Sequence, residues 1–204
     1  MKERPILFSA PMVRAILEDR KTMTRRVAKL ANFGTAGERQ NVKCPYGQPG
    51  DRLWVRETFY AYGRWETLFN QKKGREEWRF VDMTLECGFA YQYAADNPDI
   101  TLAKGRGVIT PGWHKRPAIH MPRRACRSVV EIVSVRVERL RDISETDARA
   151  EGVTLGGPIG HLPTYQAAPY AYHYAQLWES INGAGSWDAN PWVWVIEFKR
   201  IDAK

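Results

Sequence analysis

The chain has 204 residues, 44% hydrophobic and 12% aromatic, which excludes a disordered or fibrous polypeptide and fits one sizeable core. A formal net charge of +8 favours polyanionic partners through long-range steering, nucleic acid foremost. Cys44, Cys87 and Cys126 are odd in number and lack CxxC spacing, so neither a disulfide framework nor a zinc knuckle is expected. No run approaches the ~18 apolar residues of a membrane span and the start lacks a secretory pattern, so a soluble, cytoplasmic protein is expected.

Near the start, Pro11 stands where a first helical turn tolerates it, and Met12, Val13, Ile16 and Leu17 recur at helical spacing, predicting a short helix. It delivers the chain to "RKTMTRR". Residues 28–50, with Gly34, Gly37, Gly47, Pro49 and Gly50, read as loop, and "GDRLWVRETF" follows as a strand. From Ala61 to Pro117, aromatic fragments alternate with turn material such as "DNPD" and "KGRG", predicting an elaborated insertion with one or two strands.

The clearest strand runs from Val129 to Leu140, where Val133, Val135 and Val137 alternate with Ser134, Arg136 and Glu138, predicting one buried and one wet face. "DISETDARAEGV" is a helix with Ser144 as N-cap, Asp147 as the capping-box acid and Gly152 past its end. After the loop "GGPIGHLPTY" comes a second helical segment, from about Pro169 to Ile181. "DANPWVWVIEFKRI" is a terminal strand with Trp192, Trp194, Ile196 and Phe198 on one face and Val193, Val195, Glu197 and Lys199 on the other. Separated strands with few helices predict an α+β fold built on a small mixed β-barrel with flanking helices.

"RKTMTRR" is the segment with most chemistry. A threonine hydroxyl becomes a nucleophile when a neighbouring base takes its proton, and a lysine serves as that base when desolvation or positive charge lowers its pKa. Arg20, Arg25 and Arg26 supply such charge around Lys21 and Thr24. Residues three apart share a helical face but not a strand face, so cooperation between Lys21 and Thr24 requires a turn or bend. The alternative is a cluster of helix-terminal cations leading into a strand. Arg56 and the "GWHKRP" residues Trp113, Lys115 and Arg116 are further candidates to hold bases or phosphates, because cations interleaved with aromatics suit stacking and anion contact. His114, His120, His161 and His173 match no zinc-ligand spacing, and no metal or cofactor is expected.

Taken in order, "ILEDRKTMTRR", "GDRLWVRETF", "VRVERLRDISETDARAEGV" and "WVWVIEFKR" resemble the ASCH family, relatives of the PUA-like RNA-binding barrels, and most the longer phage and prophage type. The resemblance implies one ASCH-like domain over residues 1–204, with insertions at about 60–115 and 153–170. It also implies a cleft for a nucleotide or RNA segment, and a bacterial host cell if the chain is phage encoded. Some small ASCH proteins are amidohydrolases that remove an acyl group from N4-acetylcytidine with a Lys, a Thr and a Glu. Lys21 and Thr24 match the first two, and the third falls on Glu151, with Glu145 as the alternative. Others in the family bind RNA or act as ribonucleases. The resemblance therefore implies a hydrolase of acylated cytidine or a related base, or else a nucleic-acid-binding module with RNA ahead of DNA. No obligate protein partner is predicted, and a structural role in a phage particle is a third possibility.

Overall fold

The computed structural model describes residues 1–28, 43–105, 110–155 and 168–202, so the loop "GGPIGHLPTY" and His161 lie outside the described residues. Two compact units divide the chain: one from residues 1–6, 15–55 and 127–204, the other from residues 7–14 and 56–126. Nine strands in two sheets and three helices give an α+β fold among the described residues.

The strands of the first sheet are β1 (Glu3–Leu7), β2 (Met23–Val27), β3 (Arg52–Arg56), β8 (Ser128–Arg139) and β9 (Trp192–Asp202), in the order β1-β3-β8-β9-β2. That order is an open path; the expected closed barrel is not among the described pairings. The antiparallel β8 and β9 slip register between Ile132 and Ser134, which leaves Val133 as the extra residue of a bulge. Val133 is accordingly exposed, a correction to the unbroken alternation expected of this strand.

The terminal strand is also more buried than its pattern suggests. β9 lies between β8 and β2, and Val193, Trp194, Val195 and Ile196 are all buried, so both faces are covered there. Val193 and Val195 pack with Met23, Ala148, Tyr174 and Trp178, the last two carried by a long helix, α3 (Pro169–Asn182). Burial of each large side chain contributes roughly 1.5–3 kcal/mol. Between β8 and α3 comes α2 (Glu145–Ala150), whose N-cap Ser144 accepts the Asp147 N–H at 3.1 Å as the sequence predicts. The Asp147 carboxylate does not complete the expected capping box, because two arginines take it instead.

The second unit holds β4 (Phe59–Asn70), β5 (Arg75–Asp82), β6 (Gln92–Tyr93) and β7 (Gly112–Arg116), where one or two strands were expected. Exposed apolar side chains on β4 and β5, among them Leu68, Phe69 and Trp78, erase the in/out alternation that would have announced these strands. Its core gathers Phe59, Ala61, Tyr91, Met121 and Ala125. Helix α1 (Ala10–Leu17) is divided between the two units.

Candidate active site

Lys21 follows α1 by one short turn, its N–H donating to the Ala15 carbonyl at 2.9 Å. It then forms an isolated antiparallel bridge with Glu151, at the C-cap of α2. Gly152 makes that closeness possible: its φ is +81°, and a Cβ there would stand 2.8 Å from the Lys21 Cβ and 2.9 Å from that of Ala15. The Lys21 ammonium donates to the Glu151 carboxylate at 2.6 Å and to the Glu151 carbonyl at 2.8 Å. The two side chains are 0% and 3% exposed. Burial pushes the ammonium below its ordinary 10.5 against the pull of Glu151, and the charges of Arg26 and Arg25 push the same way.

Arg25 is the second buried cation. Its guanidinium meets Glu138 at 2.5 Å, Asp147 at 2.7 Å and Glu151 at 3.5 Å. Burial opposes the charge, yet Glu151 and the hydrogen bonds to Glu138 and Asp147 hold Arg25 above its usual value. Arg136 closes the network, meeting Asp147 at 2.5 Å and Glu138 at 3.1 Å. Both arginines flank Val195 in the sheet register. Tyr174 faces the same carboxylate, its hydroxyl pushed well above the ordinary value by burial and then by Glu151.

Of the two candidate glutamates, Glu151 is the one that meets Lys21. Glu145 accepts the N–H groups of Tyr170 and Ala171 at 3.0 and 2.7 Å, satisfying the first turn of α3. Thr24 is buried on β2, where the pleat places it with Arg26 on the face opposite Met23 and Arg25. Lys21 precedes the strand, so the pleat does not fix its side. No hydrogen bond from the Thr24 hydroxyl to Lys21 or Glu151 is among the described ones. Arg20 stands apart, half exposed, pairing with Glu18 at 2.5 Å and donating to the Gly152 carbonyl at 3.2 Å.

The remaining candidates belong to the other unit. Arg56 donates to the Ile119 carbonyl, and Trp113 packs edge-on against Tyr62. Lys115 is exposed on β7, and the Arg116 guanidinium lies 4.7 Å from the Trp65 ring centre and 4.5 Å from that of Phe80. Among the described residues, no group of three or more His, Cys, Asp or Glu side chains is arranged to hold a metal ion. No helix is long and apolar enough to cross a membrane among those residues.

Glu138, Asp147, Arg136 and Tyr174 escaped sequence reasoning as site residues. A signal existed for three of them: Asp147 and Glu151 are four apart on a helix, and Arg136 and Glu138 two apart on a strand, so each pair shares a face.

No protein-family model and no curated protein matches the chain. Solved structures similar to it include protein EF3133 from Enterococcus faecalis V583, of family-model DUF984, at 9% identity and a TM-score of 0.42. They also include an ASCH domain from Lactobacillus crispatus JV V101, at 10% identity and a TM-score of 0.38. Each likeness covers 99% of this chain and 81% of the other. At that similarity neither carries chemistry across.

Proposed function

We propose that the protein hydrolyses the amide of an N4-acylated cytidine or a related modified nucleobase, with Lys21, Thr24 and Glu151 as the reacting set. The observation that carries this is a fully buried lysine, lowered in pKa by desolvation and held by the Glu151 carboxylate at 2.6 Å. A buried amine whose pKa is lowered by desolvation, beside a proton acceptor, is the arrangement that general-base chemistry requires. In the proposed sequence neutral Lys21 accepts the Thr24 proton while the Thr24 oxygen attacks the acyl carbonyl. Glu151 orients Lys21, the proton passes to the departing amine, and water then releases the acid from the Thr24 ester. Arg26 offsets the charge that develops on the carbonyl oxygen. Because Lys21 is sealed from solvent, catalysis by this set requires substrate binding to open a path to its amine.

The test is release of cytidine from N4-acetylcytidine by purified protein, run beside Lys21→Ala and Thr24→Ala. Each variant loses ~100-fold or more in turnover if the proposal holds, with folding checked by circular dichroism. Near-wild-type turnover in a folded Thr24→Ala protein rules out the threonine nucleophile. Absence of product from wild-type protein rules out the activity on this substrate.

A further inference from the structure

The second unit ends its sheet in a strand with an open outer side. β5 has β4 on one side and no strand on the other among the described residues. Its register with β4 runs without a slip from Gly63 opposite Asp82 to Asn70 opposite Arg75, so neither a bulge nor a proline blunts the edge. One bond just past the strand shows which backbone groups point outward. The Met83 N–H, next in the same register, donates to the Tyr62 carbonyl at 2.9 Å. Hydrogen-bonding direction alternates along an antiparallel strand, so Arg75, Glu77, Arg79 and Val81 direct their backbone groups to β4. Glu76, Trp78 and Phe80 direct theirs outward, and no backbone hydrogen bond on that outer side is among the described ones.

The side chains along this edge differ between the two faces. Trp78 is 44% exposed, and Phe69, on the same face of the hairpin, is 64% exposed. The opposite face carries Arg75, Glu77 and Arg79. Arg79 is exposed and belongs to none of the described ion pairs, because Glu66, its neighbour across the hairpin, goes to Arg64 at 2.7 Å. Glu77 meets Lys73 at 2.9 Å and Arg75 at 3.1 Å through one oxygen, and the Asn70 amide at 2.9 Å through the other. Pairs of this kind at the surface exchange partners at little cost.

Backbone direction and charge together select the occupant. An antiparallel strand added to β5 must set outward-directed residues opposite outward-directed residues. Where that strand is β5 of a second copy, a two-fold axis passes through one residue, and the choice of residue fixes every pair. An axis at Glu76, Glu77 or Arg79 opposes a charge to itself, and one at Phe80 sets Arg79 against Val81. An axis at Trp78 instead places Glu77 of each copy opposite Arg79 of the other, twice on one face. On the other face the two exposed Trp78 side chains meet at the axis. There Glu76 lies opposite Phe80, the ring over which the Arg116 guanidinium stands at 4.5 Å. The edge is thus complementary to itself in one register, and the pairing closes because each copy covers the edge of the other.

We infer that two copies of this chain pair antiparallel through their β5 edges, with a two-fold axis at Trp78 and Glu77 of each copy opposite Arg79 of the other. The inference goes beyond the hydrolase proposal and uses none of the residues around Lys21.

The experiment is sedimentation velocity of the full chain over a concentration series up to about 100 µM, on wild type, Glu77→Arg, Arg79→Glu and an equimolar mixture of the two variants. Wild type sediments as a dimer at the upper end of the series. Either variant alone opposes like charges at both sites, and its dissociation constant rises about tenfold or more. The mixture sets two cations of one copy against two carboxylates of the other and regains the wild-type affinity as a heterodimer. A monomeric wild type overturns the inference and leaves the edge to a strand of another protein. A dimer unchanged in both single variants overturns it too, as does a mixture of the variants, folded by circular dichroism, that dimerises no better than either alone. The two proposals fail separately: a dimer that releases no cytidine loses the chemistry and keeps the edge.

Discussion

The two units use the same charged residue types to opposite ends. Around Lys21 the ion pairs are out of water, each cation touching a carboxylate at 2.5 to 3.5 Å with almost no side-chain exposure on Lys21, Arg25 or Glu151. On the β4–β5 hairpin Lys73 and Arg75 gather at Glu77 in the open. Buried charges are costly to leave unpaired, so the first set fixes geometry; exposed charges are screened and hold side chains only loosely in place.

The contrast breaks most sharply at Glu151. Glu151→Ala leaves Lys21 buried beside Arg25 without its counter-charge and is expected to cost about 3–5 kcal/mol in urea unfolding. A loss below ~1 kcal/mol would mean that water reaches the site. Gly152→Ala comes next, because the added methyl meets Lys21 and Ala15 at a positive φ; it is expected to cost about 1–3 kcal/mol and to disturb turnover through the displaced lysine. Ser144→Ala removes the cap that orients α2 and is expected to cost about 1 kcal/mol, read as a shift in unfolding midpoint with activity retained. Lys73→Ala is the smallest, shifting the midpoint least of the four, and its effect vanishes in high salt.

Titration sharpens the same contrast. Glu77 sits at about 2, below its ordinary 4.5, so its stabilising contribution is present above about 4.5 and is lost as pH falls toward about 2. Lys21 is lowered from 10.5, so the unfolded chain binds that proton more tightly, and stability rises with pH through the interval between the lowered value and 10.5. The proposed activity follows that alkaline limb, since neutral Lys21 is the base. A pH–rate profile with no limb below the ordinary lysine range removes Lys21 from that role.

The parts of the molecule with strict periodicity were legible in the sequence. The Ser144 cap of α2, the Met12–Leu17 stripe and the extent of β8 each depend on local rules, and each element stands where those rules put it, although the bulge at Val133 breaks the alternation within β8. The hairpin of the second unit was not legible, because Phe69 and Trp78 face water and the buried alternation of β4 stops at Gly63, before the part that pairs with β5. At the site, local spacing pointed to Lys21, but its burial and its pairing with Glu151 arise where the C-cap of α2 meets the residues before β2, a contact separated by about 130 residues in sequence. Asp147 shows the limit best: read as a helix-capping acid, its carboxylate goes to Arg25 and Arg136 while only its N–H serves the cap.

The bulge at Val133 governs more than its own strand. Side-chain direction in a sheet has only two values, and one extra residue exchanges them for everything downstream. With Val133 present, Arg136 lies opposite Val195 and Glu138 opposite Val193, in the same row system as Arg25. Were that exposed valine paired in a regular ladder instead, with the Ile132–Phe198 pairing kept, every later residue of β8 would move by one partner, turning Arg136 to Trp194 and Glu138 to Trp192. Val133 thus acts as a phase-setting residue: by standing outside the ladder it decides which side of the sheet the charged groups meet on.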